Sequence, residues 1–142
     1  MLEVKGNLWD FHDTGKWIVI PTNGTVKRGY SAVMGRGIAL QCKTRYPQFP
    51  VLFGRKLSLL GNHVSKFDAF KILTFPVKDS WFGTASIDLI KRSVQELQAY
   101  GYLSEIFLPK VGCGYGGLRW SEVRLLLEVL DNRFTVVSLW TP

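Results

Sequence analysis

Four short, mostly apolar runs restrict what this chain can fold into. They are Trp17–Pro21 (WIVIP), Phe70–Val77 (FKILTFPV), Glu105–Val111 and Phe134–Trp140 (FTVVSLW). They lack the apolar–polar alternation of a strand with one wet face, so they predict strands buried on both faces. Pro76 sits near the end of its run, where a ladder tolerates the missing N–H. Between the runs lie stretches of helical spacing. Gly35–Tyr46 ends before Pro47, and Phe49–Leu60 ends at Gly61-Asn62. Ile87, Ile90, Val94 and Leu97 mark a helix face that stops at Gly101, and Val123, Leu126, Leu127 and Leu130 mark the last one. Leu2–Trp9 alternates loosely and predicts a first strand. Alternating strands and helices with apolar internal strands specify an α/β fold with a largely parallel or mixed central sheet.

The 142 residues suit one domain, 1–142, and 46% hydrophobic against 20% charged residues argues against disorder. No stretch approaches the roughly 20 apolar residues of a membrane span, and Met1–Lys5 has no secretory apolar region. Cys42 and Cys113 cannot make a disulfide framework or a four-ligand zinc site, so the chain reads as cytoplasmic and without a metal. His12 and His63 read as surface residues. The net charge of +7 favours polyanionic partners, although no run of Lys or Arg exceeds two.

In a sheet of this kind ligands bind outside the carboxyl ends of the strands. The unusual residues fall there: Asn23, Lys78 and two glycine loops, Gly29–Gly37 and Gly112–Gly117. Such loops let backbone N–H groups approach an anion, and a following helix N-terminus adds positive partial charge. Facing one another, they would cradle a pyrophosphate. The alternative is glycine used for tight turns and helix packing. No Walker A spacing follows the first loop. The second fits G-x-G-x-x-G, yet no acidic residue ends the next strand to hold a ribose.

Four segments resemble a macrodomain, the α/β family that binds ADP-ribose. They are Val4-Lys5-Gly6-Asn7-Leu8, Ile18–Asn23, Val33–Gln41 with Lys43 and Tyr46-Pro47, and Leu108–Leu118 with Trp120. The MGRGIALQ stretch is similar to the branch containing DarG-type DNA ADP-ribosyl glycohydrolases and terminal ADP-ribose protein glycohydrolase. The resemblance implies a three-layer α/β/α fold with a mixed sheet of about six strands. Phe75-Pro76-Val77-Lys78-Asp79-Ser80-Trp81 resembles the DNA-acting pattern F-P-x-K-x-x-W, which places Lys78 on its catalytic lysine. Three departures qualify the match. Asn7 stands where the family has an adenine-recognising Asp. Gly116 stands where the protein-acting enzyme has a catalytic Asp, as in the DNA-acting relatives. No Asp or Glu occurs between Asp13 and Asp68, so the branch with an Asp after a triple glycine is not matched.

The resemblance assigns Asn7 and Leu8 to the adenine end and Asn23 to the distal ribose. For both asparagines a local cap or turn is the competing reading. Met34, Gly35, Arg36, Gly37 and Ile38 would hold the phosphates with Gly112, Cys113, Gly114, Tyr115, Gly116, Gly117 and Leu118. Trp81, Trp140 and Tyr30 are candidate rings for stacking on adenine or an extruded base, against a reading as packing. Trp120 reads as packing and Cys113 as a small loop residue. The implied function is hydrolysis of ADP-ribose from a modified nucleobase in DNA, thymidine-linked, without a cofactor. The implied partners are ADP-ribosylated DNA and an ADP-ribosyltransferase toxin, with the chain a monomer. The rivals are ADP-ribose 1''-phosphate phosphatase, protein ADP-ribosyl hydrolase, a non-catalytic ADP-ribose reader, and a nucleic-acid-binding domain without a nucleotide pocket.

Overall fold

The computed structural model describes residues 1–139. Trp140 therefore lies outside the described residues. In chain order the elements are β1 (Leu2–Lys5), α1 (Leu8–Asp13), β2 (Trp17–Asn23), β3 (Val26–Lys27), β4 (Ser31–Ala32), α2 (Gly37–Arg45) and α3 (Phe49–Leu60). Then come β5 (Ser65–Phe67), β6 (Ile72–Lys78), α4 (Ile87–Gln98), β7 (Ile106–Leu108), α5 (Trp120–Leu127) and β8 (Phe134–Ser138). Six strands form one sheet in the order β1-β8-β7-β2-β6-β5. All neighbours are parallel except β5, which runs antiparallel to β6 at the edge. The sheet is thus mixed, as the sequence predicts. Among the described residues no helix is long and apolar enough to cross a membrane.

The continuous apolar runs are explained by helices on both faces. Ile18 and Ile20 of β2 join Trp9, Cys42, Phe49, Phe53 and Leu57 on one side. Val19, between them, joins Leu73, Phe75, Ile90, Val94, Val123 and Leu127 on the other. Alternate β2 side chains thus feed two cores, giving an α/β/α sandwich. Ile87, expected on a core face, is 37% exposed; Ile90, Val94 and Leu97 carry that stripe instead.

The predicted first strand Leu2–Trp9 is corrected: β1 ends at Lys5 and Leu8 begins a helix. Asn7 causes the switch, since its Oδ1 accepts the Trp9 amide proton at 2.9 Å and caps α1. His12 is also corrected, because it is buried. Its Nδ1 lies 3.3 Å from the Lys16 carbonyl and its Nε2 2.7 Å from the Tyr46 hydroxyl. A neutral ring protonated at Nδ1 satisfies both. Burial pushes its pKa below the ordinary value, against the opposing pull of the Lys16 carbonyl. The predicted strand Glu105–Val111 contracts to Ile106–Leu108, which leaves Pro109 and Lys110 to the loop beyond it.

Candidate ADP-ribose cleft

At the C-terminal edge of the parallel strands a cleft encloses about 510 Å³. Its floor comes from Pro21, Thr22 and Asn23 of β2, Val77 and Lys78 of β6, and Pro109 and Lys110 after β7. One wall is Val33–Ala39, the other Gly112 and Gly114–Gly116, and Trp81 stands at its margin. The two glycine loops do face one another. A Cβ on Gly37 would lie 3.6 Å from the Tyr115 ring. The Arg36 guanidinium sits 5.5 Å from the centroid of the same ring.

Both walls expose backbone donors. The amides of Met34, Gly35, Arg36, Gly114, Tyr115 and Gly116 have no hydrogen-bond acceptor among the described residues. Helix α2 opens at this wall without a side-chain cap, so its first amides are left for a ligand. The second loop is folded tightly on itself: Leu118 N donates to Gly112 O at 3.0 Å and Gly117 N to Gly114 O at 3.1 Å. Gly116 belongs there because a Cβ would fall 2.4 Å from Gly112 O.

Asn23 pins the first loop from both ends. Its Oδ1 accepts from Thr25 N at 2.9 Å and its Nδ2 donates to Val33 O at 3.0 Å. A register shift between Thr22 and Asn23 sets Asn23 opposite Lys78 across the β2–β6 pair. Pro76 lies just before that shift and beyond the residues paired with β5, where its missing N–H disrupts least. Lys78 is half-buried, and its Nζ has no hydrogen-bond or ion-pair partner among the described residues. Among the described residues the charged side chains that line the cleft are Arg36, Lys78 and Lys110, all cationic, with no carboxylate.

The structure thus brings together Asn23, Met34, Gly35, Arg36, Gly37, Ile38, Lys78, Trp81, Gly112, Gly114, Tyr115 and Gly116. It leaves the other candidates off the lining. Asn7 caps α1 and Leu8 is buried in the core, although both follow β1 at the same edge of the sheet. Tyr30 sits at the β3–β4 turn, 66% exposed. Cys113 points its Sγ to Val111 O at 3.5 Å, and burial raises its thiol pKa. Gly117 and Leu118 close the loop from behind. Sequence reasoning missed Thr22 and Lys110. Thr22 is buried in the cleft floor, and its Oγ1 has no partner among the described residues. Lys110 lies 5.3 Å from the centroid of the Trp120 ring. Their signal was position, since both fall at or just past a strand's carboxyl end. Among the described residues no His, Cys, Asp or Glu side chains are grouped as a metal site needs.

Solved structures match this fold. The macrodomain of Thermus aquaticus DarG has a TM-score of 0.74 at 22% identity, covering 99% of this chain and 97% of that one. The macrodomain of Mycobacterium tuberculosis DarG has a TM-score of 0.70 at 23% identity, over 89% and 90%. Thermosipho africanus DarTG, in complex with ADP-ribose, has a TM-score of 0.75 at 21% identity, over 97% of this chain and 42% of that one. The fold is that of a macrodomain. In sequence, the DNA ADP-ribosyl glycohydrolase of M. tuberculosis is 32% identical over 108 residues, 64% of this chain and 29% of that protein. That of T. aquaticus is 24% identical over 124 residues, 76% of this chain and 33% of that protein. Within its class, the chain is related at distant identity to the DarG DNA ADP-ribosyl glycohydrolases. It spans about a third of the length of these curated relatives. No family model matches it.

Proposed function

We propose that this chain binds ADP-ribose in the cleft and hydrolyses it from a modified nucleobase in DNA, with thymidine the favoured attachment. The observation that carries this is the charge of the cleft. Its charged side chains are Arg36, Lys78 and Lys110, set among unengaged loop amides. A diphosphate between the two loops would meet those amides and the α2 N-terminus. The distal ribose would then lie toward Asn23, Thr22 and Lys78. In hydrolysis the bond from the anomeric carbon to the base breaks, water supplies the new oxygen, and the base leaves with the electron pair and a proton. Among the described residues no carboxylate or imidazole lines the cleft. Lys78, facing that bond, is the group that would act on the anomeric centre, as nucleophile or by stabilising the negative charge developing on the leaving base. A transferase partner is supported by a T. africanus relative named as a DNA ADP-ribosyl transferase–glycohydrolase fusion, 28% identical over 146 residues.

The test is an oligonucleotide carrying ADP-ribose on one thymidine, with release followed by mass. The wild type is expected to restore unmodified DNA. Lys78→Ala should lose turnover by about 100-fold or more while binding free ADP-ribose normally. Unchanged turnover in that variant would remove Lys78 from the chemistry. Release only from ADP-ribose 1''-phosphate or from modified protein would reassign the leaving group. Tight binding without any product would leave a reader of ADP-ribose.

A further inference from the structure

We infer that the β3–β4 hairpin, with Lys27, Arg28 and Tyr30 at its turn, is a docking surface for the single-stranded DNA flanking the nucleotide held in the cleft. The inference rests on the reading above for its choice of DNA. Its support comes from residues outside the cleft.

Backbone strain is the first sign. Tyr30 has φ of 62°, a left-handed conformation that a bulky side chain seldom adopts, and the residue is 66% exposed. The strain is therefore not offset by burying that residue. The hairpin is nonetheless held firmly. Tyr30 N donates to Lys27 O at 3.1 Å, and Val26 and Lys27 pair with Ala32 and Ser31. On its inner side the hairpin lies against α3, where a Cβ on Gly54 would fall 1.7 Å from Tyr30 O. The helix lacks a side chain at the point where the turn backbone seats, so the exposed ring stands on a rigid support.

Charge is the second sign. Lys27 and Arg28 are exposed, and neither pairs with an acidic side chain among the described residues. At the opposite end of the sheet Lys16 pairs with Glu105 and Arg133 with Asp131, while Lys71 bonds the Gly15 carbonyl. Lys27 and Arg28 on the hairpin and Arg36, Lys78 and Lys110 in the cleft thus put five cations without an acidic partner among the described residues at this end of the sheet, against the exposed Asp79 just after β6.

Continuity with the cleft is the third. The hairpin leaves the cleft wall at Asn23 and returns at Val33, and Asn23 bridges those two points. Thr25 Oγ1, at its base, accepts the Trp81 amide proton at 3.0 Å. Next to that contact, Trp81 and Phe82 are 54% and 64% exposed. A single strand offers what these groups need together. It has phosphates for Lys27 and Arg28 and an unstacked base face for Tyr30. A duplex keeps its base faces covered, and an acidic peptide offers no base face.

Fluorescence anisotropy with a labelled oligothymidine of about 12 nucleotides tests this across a salt series. The wild type should bind the single strand more tightly than a duplex of the same length. Lys27→Gln/Arg28→Gln should weaken binding and lower the slope of log K against log salt by about 1.4, two phosphate contacts' worth. Tyr30→Leu should weaken it about tenfold with the slope unchanged. Calorimetry should show wild-type affinity for free ADP-ribose in the double charge variant. Wild-type binding and slope in these variants would overturn the inference, as would an oligothymidine that the wild type does not bind. Loss of ADP-ribose binding in the charge variant would place those cations in the cleft and overturn it too. Hairpin-dependent binding without release of ADP-ribose would defeat only the enzymatic reading; release with hairpin-independent binding would defeat only this one.

Discussion

Thr22 puts a hydroxyl in the floor of the cleft where nothing among the described residues bonds to it. An unsatisfied buried hydroxyl costs about 1–3 kcal/mol, and a sugar hydroxyl or phosphate oxygen of a bound ligand would recover that cost. Thr22→Val keeps the shape and removes the orphan. The ligand-free protein should be as stable as the wild type or more so by about 1 kcal/mol, while ADP-ribose affinity falls about fivefold to tenfold. Thermal melts and calorimetry on the same preparation check the two signs. Unchanged affinity would show that Oγ1 meets no ligand atom. Position at a strand's carboxyl end was the one signal for this residue, and its type hid it, because a β-branched Thr at the end of an apolar run reads as an ordinary strand former. Asn23 beside it was legible, since an amide that breaks such a run needs a partner; the structure supplies Thr25 and Val33.

Between elements, the close approach of α3 and the β3–β4 hairpin makes a separate prediction. Gly54→Ala would drive a methyl group into the Tyr30 carbonyl, at 1.7 Å in the present geometry. Helix propensity alone would favour Ala by about 1 kcal/mol, so a net loss of stability would have to come from the clash. Gly54→Ala should lower stability by about 1–3 kcal/mol by urea denaturation. A stabilised variant would mean that the hairpin is not seated on the helix. This contact was invisible in the sequence, where the glycine sits within the helical Phe49–Leu60 stretch. The other misses come from short elements. Helix α1 is six residues long and follows a loosely alternating stretch, so only the Asn7 cap marks its start. Strands β3, β4 and β5 have two or three residues each, too short for any period to register. The legible elements were those with enough length for a pattern. Helix α3 falls on Phe49–Leu60 as expected, between Pro50 in its first turn and Gly61 after its last. The glycine loops were legible for a different reason, because close backbone packing leaves a trace in composition that a hydroxyl or a lone lysine does not.

Across the whole molecule, the titrating groups that differ between folded and unfolded chains limit stability from both sides of neutrality. On the acid side, burial lowers the pKa of His12 from its ordinary 6.5. Below that value the unfolded chain takes up a proton that the folded ring refuses, so acidification removes stability. The Arg124 hydrogen bond holds Glu3 below 4.5, and the Arg133 hydrogen bonds hold Asp131 below 3.8. Their stabilisation is full above those values and is lost as pH falls through the lowered ones, so the sign matches that of His12. On the alkaline side, burial pushes the Cys42 thiol from 9.0 up to about 12 and raises the Tyr46 phenol above 10.0. There the unfolded chain releases protons that the folded chain keeps, and stability falls as pH rises. The expected profile is a plateau from about pH 7 to 9 with a decline on each side. Urea midpoints under reducing conditions at about pH 5, 8 and 10 should be highest at pH 8. Cys42→Ala should flatten the alkaline decline and leave the acid one in place. A midpoint at pH 5 equal to that at pH 8 would require His12 to carry its proton in the folded protein. The joint it makes between α1, Lys16 and Tyr46 would then have to be a charged one.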